Sequence, residues 1–169
     1  MKSWFILMLA AVTCFSCGET PQKKESLKIG GTSAKEVTQS NTTVLALSGN
    51  DAMQFDKKTL EATAGQPIKL TFRHVGKMEK RIMGHNFVLL KEGTNIVAFA
   101  NQAAAAGAPT DWIPNEGAEV ITHTKMLGGG QSDMITFDAP EPGVYDFICS
   151  FPGHSSMMRG QLIVREAAQ

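Results

Sequence analysis

Six short apolar runs constrain the architecture most. TVLAL (43–47), IKLTFRH (68–74), HNFVLL (85–90), DMITFD (133–138), VYDFIC (144–149) and GQLIVR (160–165) are rich in Val, Ile, Leu, Phe and Thr. Gly, Pro, Asn and Asp punctuate the chain between them, as they do between strands. In VYDFIC, the alternation puts Tyr145, Phe147 and Cys149 on one face. Short strands at this spacing predict an antiparallel β-sandwich or barrel, with a folded domain over 43–169. One segment departs from the pattern. Thr94 is placed to cap a helix through NIVAFANQAAAA (95–106), and Gly107 to end it. GAPTDWIPNEGAEV (107–120) reads as a loop, and GGGQ (128–131) as a tight turn.

The N-terminus has a different texture. MKSWFILMLAAVTCFSC carries Lys2 ahead of a nearly unbroken apolar run from Trp4 to Phe15. The run is too short for a stable membrane anchor, so residues 1–17 are expected to be a secretory signal. Ser16–Cys17 has the form of a lipoprotein cleavage site, which would make Cys17 the lipidated first residue of the mature chain; ordinary cleavage nearby is the alternative. Residues 18–42 are polar and poor in large apolar groups, and read as a flexible tether with a reach of roughly 30 Å. The expected location is therefore the bacterial periplasm or cell envelope, with membrane contact only through a lipid at Cys17. The chain balances 16 Lys and Arg against 16 Asp and Glu, and without a basic excess no nucleic-acid partner is implied.

Export bears on the cysteines. Exported domains usually use cysteine in pairs, as disulfides. Of Cys14, Cys17 and Cys149, only Cys149 stays a free thiol if the first is removed and the second acylated. A lone thiol is either buried and inert or has a partner other than sulfur.

CSFPGHSSMM (149–158) supplies such a partner. Cys149 ends a strand, and Pro152–Gly153 forces a loop that can fold back, bringing Cys149, His154 and Met158 toward one centre in the spacing Cys-x4-His-x3-Met. His85, at the start of another apolar run, would complete the set. One thiolate, two imidazoles and a weak thioether describe a blue-copper electron-transfer site. Zinc accepts similar ligands but rarely recruits Met. Each residue also has a plainer reading. Cys149 would be a buried structural thiol, His85 and His154 satisfied core histidines, and Met158 hydrophobic filler in competition with Met157. It is their conjunction that favours the metal.

GNDAMQF (49–55), MGHNFVL (83–89), HTKMLGGG (123–130) and CSFPGHSSMMRG (149–160) together resemble the azurins, the bacterial cupredoxins. The resemblance covers roughly residues 43–165. It implies an all-β, eight-stranded Greek-key sandwich with one short helical flap, holding one copper ion that cycles between Cu(II) and Cu(I). It implies His85, Cys149 and His154 as equatorial ligands, Met158 as a weak axial ligand, and the backbone carbonyl of Gly84 as a weak contact opposite. It also implies supporting roles around the sulfur for Asn86 and the backbone of Phe151. Met53, Ile82, Met83, Phe151, Pro152 and Gly153 would form an apolar docking patch around His154, and the implied partners are redox proteins such as c-type cytochromes or copper or haem reductases. His74 is expected near the site without being a ligand, and His123 on the surface. The sequence departs from the family in placing Thr43 and Gln66 where a disulfide is usual, and Phe87 where Trp is common.

The resulting expectation is a non-enzymatic electron carrier. One alternative is an exported copper storage or delivery protein, which would tend to use exposed Met or His clusters instead of a closed cage. Another is a copper enzyme, which needs an open position or a second copper site; four histidines, two already committed, leave few for one.

Overall fold

The computed structural model describes residues 42–167. The expected signal segment, Cys17, and the tether up to residue 41 lie outside these residues.

Among the described residues, nine strands form two sheets. They are β1 (Thr43–Asn50), β2 (Gln54–Phe55), β3 (Thr59–Thr63), β4 (Pro67–His74), β5 (Val88–Leu90), β6 (Val120–His123), β7 (Ser132–Asp138), β8 (Gly143–Ile148) and β9 (Arg159–Arg165). One sheet runs β2-β1-β4-β7 and the other β3-β9-β8-β5-β6. The β1–β4 and β3–β9 pairs are parallel and the rest antiparallel. This is the expected all-β sandwich, with the two-residue β2 added to eight longer strands.

Alternation carries the burial. In β4, Ile68, Leu70, Phe72 and His74 are fully buried, while Lys69, Thr71 and Arg73 face solvent. In β8, Tyr145 and Phe147 point inward, and Cys149 continues their face just beyond the strand. Between the sheets, Phe55 meets Phe72 edge-on at 5.9 Å and Phe147 at 5.6 Å, and Phe87 lies 5.4 Å from Phe147. Each fully buried ring contributes about 2–3 kcal/mol by leaving water. Phe87 does this packing at the position where the family often has Trp. Tyr145 donates its hydroxyl to the Glu141 carbonyl at 2.8 Å, tying the start of β8 to the preceding turn.

Among the described residues, two α-helices lie outside the sheets. The flap is α2 (Ile96–Ala106), after a single turn, α1 (Lys80–Met83), that the sequence reading did not anticipate. Phe99 and Ala103 of α2 are buried against Val88, Leu90 and Ile148. Gly107 ends the flap as expected, but the cap at its start is Asn95, whose side chain accepts from the Ala98 N–H at 3.0 Å. Thr94 instead turns its hydroxyl back to the Lys91 carbonyl. Thr and Asn are both good caps, and the side chain that reaches the third N–H of the helix takes the role. The reading also missed β3 and β6. TLEAT holds one large apolar residue, and VITH is only four residues long.

Candidate metal centre

Backbone hydrogen bonds fold the segment after β8 into a compact loop. The Cys149 N–H donates to the Met158 carbonyl at 2.9 Å, the Met158 N–H to the His154 carbonyl at 2.7 Å, and the His154 N–H to the Phe151 carbonyl at 3.0 Å. In the same sheet, just ahead of the β5 strand that pairs with β8, His85 forms an isolated antiparallel bridge with Leu127. The sulfur and two imidazoles are thereby brought together, with Cys149 and His85 fully buried and His154 4% exposed.

Three atoms of these residues form a triangle. The two Nδ1 atoms of His85 and His154 face each other at 3.2 Å, and Sγ of Cys149 lies 3.6 Å from the His154 Nδ1 and 3.9 Å from the His85 Nδ1. A point in that plane equidistant from all three lies about 2.1 Å from each, the length of a metal–imidazole bond and close to that of a metal–thiolate bond. Among the described residues this is the group of His, Cys and carboxylate side chains arranged to hold an ion.

The surroundings prepare the donors. His85 donates through Nε2 to the Asn50 carbonyl at 2.8 Å, which fixes its tautomer and leaves the Nδ1 lone pair for the centre. Burial lowers the pKa of both imidazoles, that of His154 to about 4, with neighbouring histidines adding to the effect. Neither ring needs to shed a proton near neutrality. Burial pushes the Cys149 thiol up to about 12, against the backbone N–H groups of Asn86 and Phe151, which favour the thiolate. A bound cation reverses that balance and takes the sulfur as thiolate. A thiolate, two neutral imidazoles and a nearby thioether are a set of soft and intermediate donors that fits copper.

The other expected residues gather around the triangle. Asn86 accepts from the Ser150 N–H through Oδ1 at 2.9 Å and donates through Nδ2 to the Ser150 hydroxyl at 2.8 Å. The Gly84 carbonyl lies 3.7 Å from the Cys149 sulfur. Met158 is fully buried, whereas Met157 is 47% exposed, so burial separates the two adjacent methionines. His74 is also buried but lies outside the triangle. Its ring stacks on His85 at 4.3 Å and 22°, donates through Nε2 to the Met83 carbonyl at 2.7 Å and accepts the Gly76 N–H through Nδ1. His123 is exposed at the end of β6.

Sequence reasoning gave Gly84 only a carbonyl and overlooked Gly49. A Cβ on Gly49 would sit 3.0 Å from Met158 Cε, 3.1 Å from His85 Cδ2 and 3.3 Å from a Phe72 carbon. One on Gly84 would sit 2.5 Å from the Lys80 carbonyl and 2.9 Å from the Phe151 ring. The missing side chains let β1 and the His85 segment close on the donors. The signal was the glycine inside an apolar strand, which often marks a close approach.

The expected docking residues divide by exposure. Ile82 is 53% exposed and Pro152 and Gly153 are exposed, while Met53, Met83 and Phe151 are half-buried. Met53 and Phe151 also pack on the core. The Phe151 ring lies 4.7 Å from His154 and 5.0 Å from Trp112, so Trp112 leans on the metal loop as well as on the flap cluster.

Comparison with known proteins agrees with this geometry. Residues 42–165 match the model of the copper binding proteins of the plastocyanin/azurin family. Azurin-1 of Alcaligenes xylosoxydans xylosoxydans is 39% identical over 120 residues, 69% of this chain and 92% of that protein. Among solved structures, the azurin Az-iso2 of Methylomonas sp. strain J is 31% identical with a TM-score of 0.67, covering 73% of this chain and 98% of that one. Auracyanin A, a "blue" copper protein of Chloroflexus aurantiacus, is 28% identical with a TM-score of 0.67, covering 73% of this chain and 99% of that one. With the match spanning almost every described residue, the chain belongs to the plastocyanin/azurin family of copper-binding proteins, and its metal is a single copper ion.

Proposed function

We propose that this protein carries single electrons between larger redox proteins. Copper bound at the site would supply the redox chemistry, alternating between Cu(II) and Cu(I). His85, Cys149 and His154 would hold the ion, with Met158 and the Gly84 carbonyl as weaker donors. The observation that carries the reading is the donor triangle, already assembled at metal-binding separations within hydrogen-bonded walls. A site so constrained changes little between oxidation states, which keeps electron transfer fast. It also leaves no donor position for a substrate, so the proposed role is that of a carrier and not of an enzyme. A storage or delivery protein needs donors that open to release copper, and here Cys149 and His85 are fully buried.

The electron would pass through His154, the ligand with some exposure, within a docking surface of Met53, Ile82, Met83, Phe151, Pro152 and Gly153. The chemistry of such partners is that of c-type cytochromes or of copper or haem reductases. We further propose that residues 1–17 direct export, that Cys17 carries a lipid and that residues 18–42 tether the domain to an envelope membrane. In support, β1 begins at Thr43 and reaches the site only at Asn50. Seven residues of strand put about 23 Å between the point of chain entry and the site, leaving the copper end free to dock. No helix among the described residues is long and apolar enough to cross a membrane.

A visible spectrum of the copper-loaded protein tests the carrier role. The expected result is an intense blue thiolate-to-copper band, bleached by ascorbate and restored by ferricyanide. A colourless copper complex, or a band that does not bleach, would overturn the reading.

A further inference from the structure

The site's end of the sandwich is charged differently from the far half. β1, β4 and β8 finish there and β3, β7 and β9 start there. Lys58 precedes β3, Arg159 opens β9, Lys77, Lys80 and Arg81 lie between β4 and His85, and Lys125 lies two residues before Leu127; all six are exposed. With Lys57 and Arg73, the cations at this end number eight against six carboxylates, Asp51, Asp56, Glu79, Asp111, Asp133 and Asp146, the last in a groove with Lys58 and Arg159. The far half reverses the balance. There Lys69, Lys91 and Arg165 face Glu61, Glu92, Glu119, Asp138, Glu141 and Glu166, three against six, with Glu116 on the loop between α2 and β6.

The cations border the His154 loop closely. Lys58 donates to the Met157 carbonyl at 2.8 Å, one residue from Met158. Arg159 shares a groove with Gly153, Ser155 and Ser156. On the other flank, Lys80 and Lys125 line a cleft with Met126, Leu127 and Asp111, and the Asp133 carboxylate beside it accepts the Lys125 N–H at 2.9 Å. Glu79 is engaged by Arg81 at 2.9 Å. Exposed charges interact over about 8 Å at physiological ionic strength. A molecule with one positive end is turned so that this end meets a negative surface first.

We infer that the copper end docks on a redox partner whose electron-exchanging edge is ringed by acidic residues. The apolar collar makes the close contact at His154, and the flanking cations orient the approach. This rests on the carrier reading and adds to it the charge of the partner.

The test is stopped-flow oxidation of the ascorbate-reduced, copper-loaded protein by hexacyanoferrate(III), an anion, and by tris(1,10-phenanthroline)cobalt(III), a cation. The expected rate for the anion falls about threefold or more between 10 and 200 mM salt, whereas the rate for the cation rises or stays level. The Lys80→Glu/Arg159→Glu variant, with its blue band unchanged, should lose most of the dependence seen with the anion. Equal salt dependence for the two reagents, or an unchanged slope in that variant, would overturn the proposal. If neither reagent restores the blue band of the reduced protein, the carrier reading itself fails and the docking proposal with it. Salt-sensitive binding to anionic phospholipid vesicles, abolished in the variant, would assign the positive end to a membrane and likewise overturn the proposal.

Discussion

Asn86 and Ser150, 64 positions apart in the chain, hold each other by two hydrogen bonds at 2.8 and 2.9 Å, both fully inside the protein. Each lies one residue beyond a proposed copper ligand, His85 and Cys149. The pair therefore fastens the two ligand segments together independently of any metal.

Asn86→Ala should consequently weaken both the fold and the site. It leaves the Ser150 N–H and hydroxyl buried without partners, at a cost of about 1–3 kcal/mol. The check is thermal unfolding of metal-free and copper-loaded protein, with copper loss to a chelator. Both forms should melt earlier and copper should leave faster. Ser150→Ala, which keeps the N–H bond, should show a smaller effect.

Cys149→Ser should remove the intense visible band while far-UV circular dichroism stays that of a β-sandwich. The hydroxyl has nearly the size of the thiol and keeps the backbone bond to Met158. Survival of the band would exclude Cys149 as the ligand.

The adjacent methionines should behave differently. Met158→Leu keeps the volume but removes the thioether, a donor that stabilises Cu(II) more than Cu(I), so the reduction potential should rise. Met157→Leu, at a half-exposed position, should leave it unchanged. Voltammetry of both variants decides which sulfur faces the metal.

Copper uptake should release protons in a pH-dependent way. Near pH 7 both imidazoles are already neutral and the Cys149 thiol, pushed up to about 12, is protonated. About one proton per copper should be released, measurable by calorimetry in buffers of different ionisation enthalpy. The metal-free fold should also weaken in acid. The unfolded chain takes a proton on His154 near pH 6.5, but the folded chain holds it off until about 4. Stability should be unaffected by this residue above pH 6.5 and fall as the pH drops from there toward 4.

Gly49→Ala tests the close packing behind the donors. The methyl group would press on Met158, His85 and Phe72 at 3.0–3.3 Å, and the expected loss is about 1–3 kcal/mol. A shifted visible spectrum would accompany it if Met158 or His85 gives way.

The sandwich and the donor group of the proposed site were legible for different reasons. Alternation in IKLTFRH and VYDFIC gave inward faces because a strand's side chains alternate by geometry alone. Spacing drew Cys149, His154 and Met158 together because a Pro-Gly loop between strands has few ways to close. β3 stayed hidden because TLEAT has little apolar contrast. The helix cap fell one residue away from expectation because Thr94 and Asn95 are both competent, and only the chain's path selects between them.

What the sequence determined by itself was therefore local: strand faces, the loop's spacing and the kinds of donor it carries. Tertiary structure alone decided the distances between donors contributed by neighbouring strands of one sheet and the loop between β8 and β9, the tautomer of His85 set by Asn50, the close approach at Gly49 and Gly84, and the gathering of cations at the copper end. Each depends on where separate strands finish relative to one another. Pairing register and packing between the sheets set that, and no single stretch of chain encodes it.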